Sequence, residues 1–384
     1  MSASTVPGAE VVVVGAGVLG AWTALALARR GVEVALVEAL SPGHVRSSSG
    51  GESRLIRCGH GDDLEFTQMA RRALHAWERL EAESGRNLLV RTGIAWFATR
   101  RQGWEESSAR TLAAAEVPFE LLAPDSASEL FPSLRTDDLE MVLYEPESGV
   151  LHARLAVQAC VDVARRHGTR MLTGRATPAN GGIDVDGVRV AADRVVWACG
   201  PWLPALLGSA LKPLGFRVTK QDVVFFGTDP GWASPPVPGW IDYEGATYGV
   251  GDLDGRGFKC APDVEGPDFD PDSGDRLLSS DNERRARAYL AHRFPALAGA
   301  PLVGHRTCQY SLTADTAFLI APHPDREGDW VVGGGSGHAF KHGPVVGEHV
   351  ADLVTAAAAP NPRFALTARR ADHALRTAGG TPRR

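Results

Sequence analysis

The sequence predicts an α/β protein, α+β overall: a Rossmann-like dinucleotide-binding domain with a β-rich second part set into it. Three observations carry this. A strand, a glycine turn and a helix open the chain, and the next strand closes on an acid. A second strand, glycine loop and helix lie near the C-terminus. Between them runs a long stretch of short aromatic and apolar segments broken by glycines.

The 384 residues are 44% hydrophobic. That is ample for a buried core and, at roughly 100–200 residues per domain, for two domains. Forty-three glycines and 25 prolines imply many tight loops. Net charge is −6, and no basic block stands out beyond short terminal clusters such as Arg383-Arg384. A nucleic-acid partner has no electrostatic support. Five widely spaced cysteines, Cys58, Cys160, Cys199, Cys260 and Cys308, form no CxxC pair. Neither a disulfide framework nor a structural metal site is indicated. The start lacks the pattern of a secretory leader. No apolar run reaches the roughly 18 residues of a membrane span. A cytoplasmic protein with no membrane partner is expected.

The first element is the strand Val11–Val14, β-branched throughout as in a buried parallel strand. Gly15-Ala16-Gly17-Val18-Leu19-Gly20 follows, then a helix from about Gly17 to Arg30. Gly15 makes the tight turn, Gly17 admits a pyrophosphate, and Gly20 lets helix and strand pack closely. The helix N-terminus offers free N–H groups to the phosphates. The apolar run Val32–Val37 ends at Glu38, placed to accept hydrogen bonds from ribose hydroxyls. This motif alone does not separate FAD from NAD.

The polar, Gly/Ser-rich stretch 41–62 reads as a loop carrying Ser48, Arg54 and Arg57. Residues 64–84 have apolar spacing near 3.6 and read as an amphipathic helix. Strand, turn, strand is expected over 88–98, and helices over 105–116 and 151–168. Residues 194–207 read as a buried strand, a Gly-Pro turn with Gly200 and Trp202, and a helix start, with Cys199 in the core. Segment 216–264 is β-rich, and a helix spans about 280–292. In 330–354 a strand leads through a glycine-rich loop into a helix. Such a loop carries a helix N-terminus toward a cofactor ring.

Taken in order, GAGVLG with Glu38, GESRLIR (51–57), VVWACGPW (195–202), GFKC (257–260), RTCQYSLTAD (306–315) and GGGSGHAFKHGP (333–344) resemble the monomeric sarcosine oxidase and N-methyltryptophan oxidase family, within the D-amino-acid-oxidase-like flavoproteins. The resemblance covers nearly the whole chain. It implies an FAD-binding domain made of 1–88, 150–212 and 316–384, and a mixed-sheet substrate domain made of 89–149 and 213–315. It further implies a monomer that oxidises a small amine or imino acid with O2. Hydride passes to flavin N5, an imine forms, and H2O2 is released. A flavin-dependent dehydrogenase, a natural-product tailoring oxidase and a non-catalytic flavin-binding subunit stand as alternatives.

The resemblance assigns residues one by one. Cys308 is similar to the cysteine that links the flavin covalently, and a thiolate needs an electropositive setting for that reaction. Arg57 and Lys341 match the pair that grips the substrate carboxylate. Lys259 matches the lysine near flavin N5 associated with oxygen reduction, where a fixed positive charge stabilises superoxide. Arg54 matches a basic residue beside the flavin ring, and Tyr248 a tyrosine of the substrate pocket. Tyr310 and the loop Gly335, Ser336, Gly337 and His338 fall beside the cofactor. Two departures stand out. Ser49-Gly50 replaces a histidine pair, which is expected to open space for a larger substrate. Asp263 replaces a histidine, which is expected to attract a second amine of the substrate.

Overall fold

The computed structural model describes residues 5–371. The Arg383-Arg384 cluster and the end of the expected span 316–384 lie outside the described residues. The first strand, β1 (Thr5–Val14), leads into α1 (Val18–Arg29) and then β2 (Val34–Glu38). β1 pairs in parallel with β2 on one side and with the strand Val188–Trp197 on the other. Val11 to Val14 are all buried, each stabilising by about 1.5–3 kcal/mol relative to exposure. The sheet runs Ala176–Ala179, Gly182–Val185, Val188–Trp197, β1, β2, Arg170–Thr173. Trp330–Gly333 adds to Val188–Trp197 and carries Leu319–Pro322.

The glycines of the opening turn are demanded by contact. A Cβ on Gly20 would sit 1.9 Å from the Gly15 carbonyl oxygen. Gly15 has φ +101, and its Cβ would meet the Ala198 carbonyl at 2.6 Å. The C-terminal helix Ala339–Val354 lies against α1 through two more glycines. Cβ atoms at Gly343 and Gly347 would come within 2.6 Å of Val18 Cγ2 and 2.5 Å of the Trp22 backbone. Two helices in backbone contact therefore meet beside the mouth of the first turn.

A second eight-stranded sheet stands apart from the first. Its order is Leu302–Leu312, Arg217–Phe226, Phe258–Pro262, Thr247–Val250, Gly239–Asp242, Ile94–Ala98, Met141–Glu145, Glu120–Leu122. The β-rich reading of 216–264 is borne out by four of these strands. A small sheet of three strands sets β3 (Ser53–Ile56) beside Gly149–His152 and Leu89–Val90. Helices at Leu64–Ser84, Trp104–Ala114 and Ser280–Arg293 match the periodic segments closely.

Two readings are corrected. Part of the expected loop 41–62 is the strand β3, because Ser53–Ile56 finds a partner in Gly149–His152, far away in sequence. For the same reason the expected helix at 151–168 begins only at Ala153, and Leu151 and His152 are strand. Cys199 is half-buried against the core, its Sγ 3.6 Å from the Val14 carbonyl. No helix among the described residues is long and apolar enough to cross a membrane.

Candidate active site

The opening turn is built for a dinucleotide. Glu38 closes β2, and its Oε2 accepts from the Ala16 N–H at 2.8 Å. Gly17 is the N-cap of α1 and brings no side-chain cap of its own. Instead Ser49 Oγ accepts from the Val18 N–H at 3.0 Å. Leu19 packs partly buried against the core behind this turn. Gly200 bends at φ +52 beneath the strand that ends at Trp197, and Trp202 Nε1 donates to Asp272 at 2.9 Å. Glycines at close contacts, a helix N-terminus and a carboxylate at the strand end together fit a dinucleotide such as FAD.

Beyond the turn, β3 carries Arg54 into a half-buried position. Its Nη2 donates to the Ser48 carbonyl at 2.6 Å and lies 3.8 Å from Cys308 Sγ. Ser48 Oγ in turn donates to the Gln309 carbonyl at 2.9 Å. Cys308 is buried in the strand Leu302–Leu312, opposite Gln221. Arg54 is thus the cation beside the thiol. Arg306, its neighbour in sequence, is spent on Glu52 at 2.8 Å and on the Val45 and Gly50 carbonyls, and His305 is exposed. Burial opposes the Arg54 charge, but Cys308, Tyr248, Tyr310 and Glu52 hold its pKa above the ordinary value.

Lys259 lies in the strand Phe258–Pro262, paired with Val250 and Phe225, and is 2% exposed. Its Nζ sits 3.4 Å from Ser53 Oγ and 5.1 Å from the Tyr248 ring centre. Burial, then the charge of Arg54, push its pKa down to about 8. Tyr248 and Tyr310 face each other with hydroxyls 3.5 Å apart, and Tyr310 lies 3.4 Å from Asp263 Oδ1. Desolvation raises both phenols, so both stay protonated at neutral pH.

Arg57 and Lys341 form a second cationic pair. Arg57 follows β3, lies over the Trp96 ring at 4.9 Å and donates to the Gly59 carbonyl. Lys341 stands in the first turns of the C-terminal helix, is 3% exposed, and shows no acceptor for its ammonium among the described residues. Its carbonyl accepts from Trp77 Nε1 at 2.9 Å, and the neighbouring Phe340 stacks on Trp77 at 5.6 Å. Desolvation, then the charge of Arg57, hold the Lys341 pKa well below its usual value. Asp263 contributes to sustaining the charge of Arg57.

Around Gly335 and Gly337 the loop turns sharply. Ser336 has φ +42 and accepts from the Thr313 N–H at 3.2 Å. The His338 imidazole bonds the Thr316 carbonyl at 2.9 Å and packs among Phe66, Phe318 and His342. His60 and His342 share an Nε2–Nε2 contact of 3.2 Å. Ring nitrogens of His60, His338 and His342 lie within 4.8 Å of one another. Burial, then the charge of Lys341, lower all three, His338 to about 3. The same charges oppose a divalent cation there.

Structure and sequence disagree on Ser49-Gly50. Ser49 is buried and caps α1. A Cβ on Gly50 would fall 1.9 Å from the His44 carbonyl. Glycine is required there by the turn 44–50, so the departure does not open substrate space. Glu145, Trp96, His60 and His342 carry no local sequence signal, because their places in the site arise from contacts between distant segments.

Comparisons with known proteins bear on the chain as a whole. A family described as FAD dependent oxidoreductase matches residues 10–353. The monomeric sarcosine oxidase of Streptomyces avermitilis is 31% identical, covering 93% of this chain and 96% of that protein. The N-methyl-L-tryptophan oxidase of Salmonella arizonae is 26% identical over 93% of this chain and 97% of its own length. Among solved structures, the L-proline dehydrogenase from P. horikoshii superposes with a TM-score of 0.81 at 21% identity, covering 94% and 97% of the two chains; it shares the fold. The chain belongs to the FAD dependent oxidoreductase family. It is an FAD-dependent amine oxidase of the sarcosine-oxidase-like group.

Proposed function

We propose that the substrate is a secondary or cyclic amine bearing a carboxylate, an N-methyl amino acid or an imino acid, oxidised to its imine with O2 reduced to H2O2. The observation that carries this is the pair of half-buried Arg57 and buried Lys341, with no acceptor on the Lys341 ammonium among the described residues. A buried ammonium without a hydrogen-bond acceptor costs several kcal/mol, and a substrate carboxylate offsets that cost when it arrives. The names of the sarcosine and N-methyl-L-tryptophan oxidases fit the same class.

FAD supplies the two-electron acceptor when bound. Gly15, Gly17, Gly20, Ser49 and Glu38 would hold its dinucleotide end. Cys308 would link it covalently, with the Arg54 guanidinium 3.8 Å from the sulfur. Arg57 and Lys341 orient the carboxylate. Tyr248 and Tyr310 wall the pocket, and Asp263, within reach of Tyr310, draws a second amine where the substrate has one. Lys259 places its charge where O2 is reduced. No buried base is needed once the amine enters neutral. The chain acts as a monomer in the cytoplasm. Its substrate domain comprises 89–149 and 213–315, and the rest forms the FAD domain.

Arg57→Met and Lys341→Met test the reading. Each should weaken binding of small carboxylate inhibitors by at least about 100-fold, read from perturbation of the bound flavin's visible spectrum. Unchanged binding in both variants would refute it.

A further inference from the structure

The clamp has a foundation that the fold alone reveals. Glu145 ends the strand Met141–Glu145 and is fully buried. Four donors converge on its carboxylate. Oε2 accepts from the Cys58 N–H and Ser148 Oγ, both at 2.7 Å. Oε1 accepts from Trp96 Nε1 at 2.8 Å and from the Gly59 N–H at 3.1 Å. An ionised carboxylate is an acceptor only, and four donors match its capacity.

Three of these four donors bear on Arg57. Cys58 is the next residue in the chain. The Gly59 peptide takes a bond from the guanidinium through its carbonyl while its N–H is held by Glu145. The Trp96 indole is the surface on which the guanidinium lies, and Glu145 fixes that ring by its N–H. Packing leaves no slack: a Cβ on Gly59 would lie 3.1 Å from Glu145 Oε1 and 3.3 Å from the Trp96 ring. Trp96 and Glu145 sit on adjacent antiparallel strands, with Ile94 opposite Glu145.

We propose that Glu145 is the positioning residue of the carboxylate clamp, fixing the direction of Arg57 and serving as the buried counter-charge of the Arg57–Lys341 pair. The proposal rests on the reading of that pair as the substrate's anion site. Arg57, Cys58 and Glu145 are the charged or titratable groups acting on Lys341. The neighbouring His60, His338 and His342 are held neutral. Of these groups, Glu145 and Cys58 favour the lysine's charged form, and burial holds the Cys58 thiol protonated.

The test uses the FAD-loaded enzyme with propionate as a carboxylate probe and propionamide as its uncharged counterpart. Binding is read from the flavin spectrum across pH. Glu145→Gln must turn an N–H toward a donor and removes the counter-charge. It should weaken propionate binding by about tenfold and leave propionamide nearly unchanged. The alkaline limit of propionate binding should move to lower pH, because Lys341 then loses its proton more readily. A merely structural defect would weaken both probes alike and leave the pH limit in place. Propionate affinity and pH limit unchanged in folded Glu145→Gln would overturn the proposal. Should that variant not fold, Trp96→Phe, which deletes one donor, must still weaken propionate selectively, and no change there overturns it equally. Arg57→Met separates the two claims. If it leaves propionate binding intact, the clamp reading itself fails. If it abolishes binding while Glu145→Gln does nothing, only the role of Glu145 fails.

Discussion

Lys259 is a cation kept where cations are costly, and its titration is the most direct handle on the oxygen reaction. Burial and Arg54 bring its pKa to about 8, so it is charged below that pH and neutral above. Reoxidation of reduced flavin by O2 should therefore be fastest at neutral pH and fall as pH rises through about 8, seen by stopped-flow mixing. Lys259→Met should slow reoxidation by about 100-fold or more, lose the pH dependence, and leave anaerobic reduction within a few-fold. Cys308 gives a second residue-scale prediction. Acid precipitation should carry yellow colour into the pellet with the native protein and leave it in the supernatant with Cys308→Ala.

At the scale of elements, backbone contacts decide more than side chains. A Cβ at Gly50 collides with the His44 carbonyl at 1.9 Å. Gly50→Ala should therefore cost more than about 2 kcal/mol of stability, read by thermal unfolding, without narrowing the substrate range. What the sequence disclosed of the elements follows the same physics. The opening turn was legible because its glycines, strand and helix are neighbours in the chain. The helix Leu64–Ser84 was legible from its 3.6-residue spacing. β3 was not, because Ser53–Ile56 is a strand only by virtue of Gly149–His152.

On the scale of the whole molecule, two sheets and a helix converge on one site. β3 supplies Arg54 and leads into Arg57, the second sheet supplies Lys259 and Cys308, and the C-terminal helix supplies Lys341. Their convergence was legible only through motif order, since no local pattern joins residue 57 to residue 341. Glu145 lay wholly beyond reach, as an acid at a strand end says nothing of the four donors that meet it. The account's central claim is that this convergence binds and oxidises an amine through its carboxylate. The measurement that tests it most directly is peroxide release from N-methyl and cyclic amino acids, each paired with the same amine lacking the carboxylate. Turnover with the carboxylates, and a loss of about 100-fold or more in kcat/KM without it, is the predicted result. Equal turnover of both members of each pair would contradict the account.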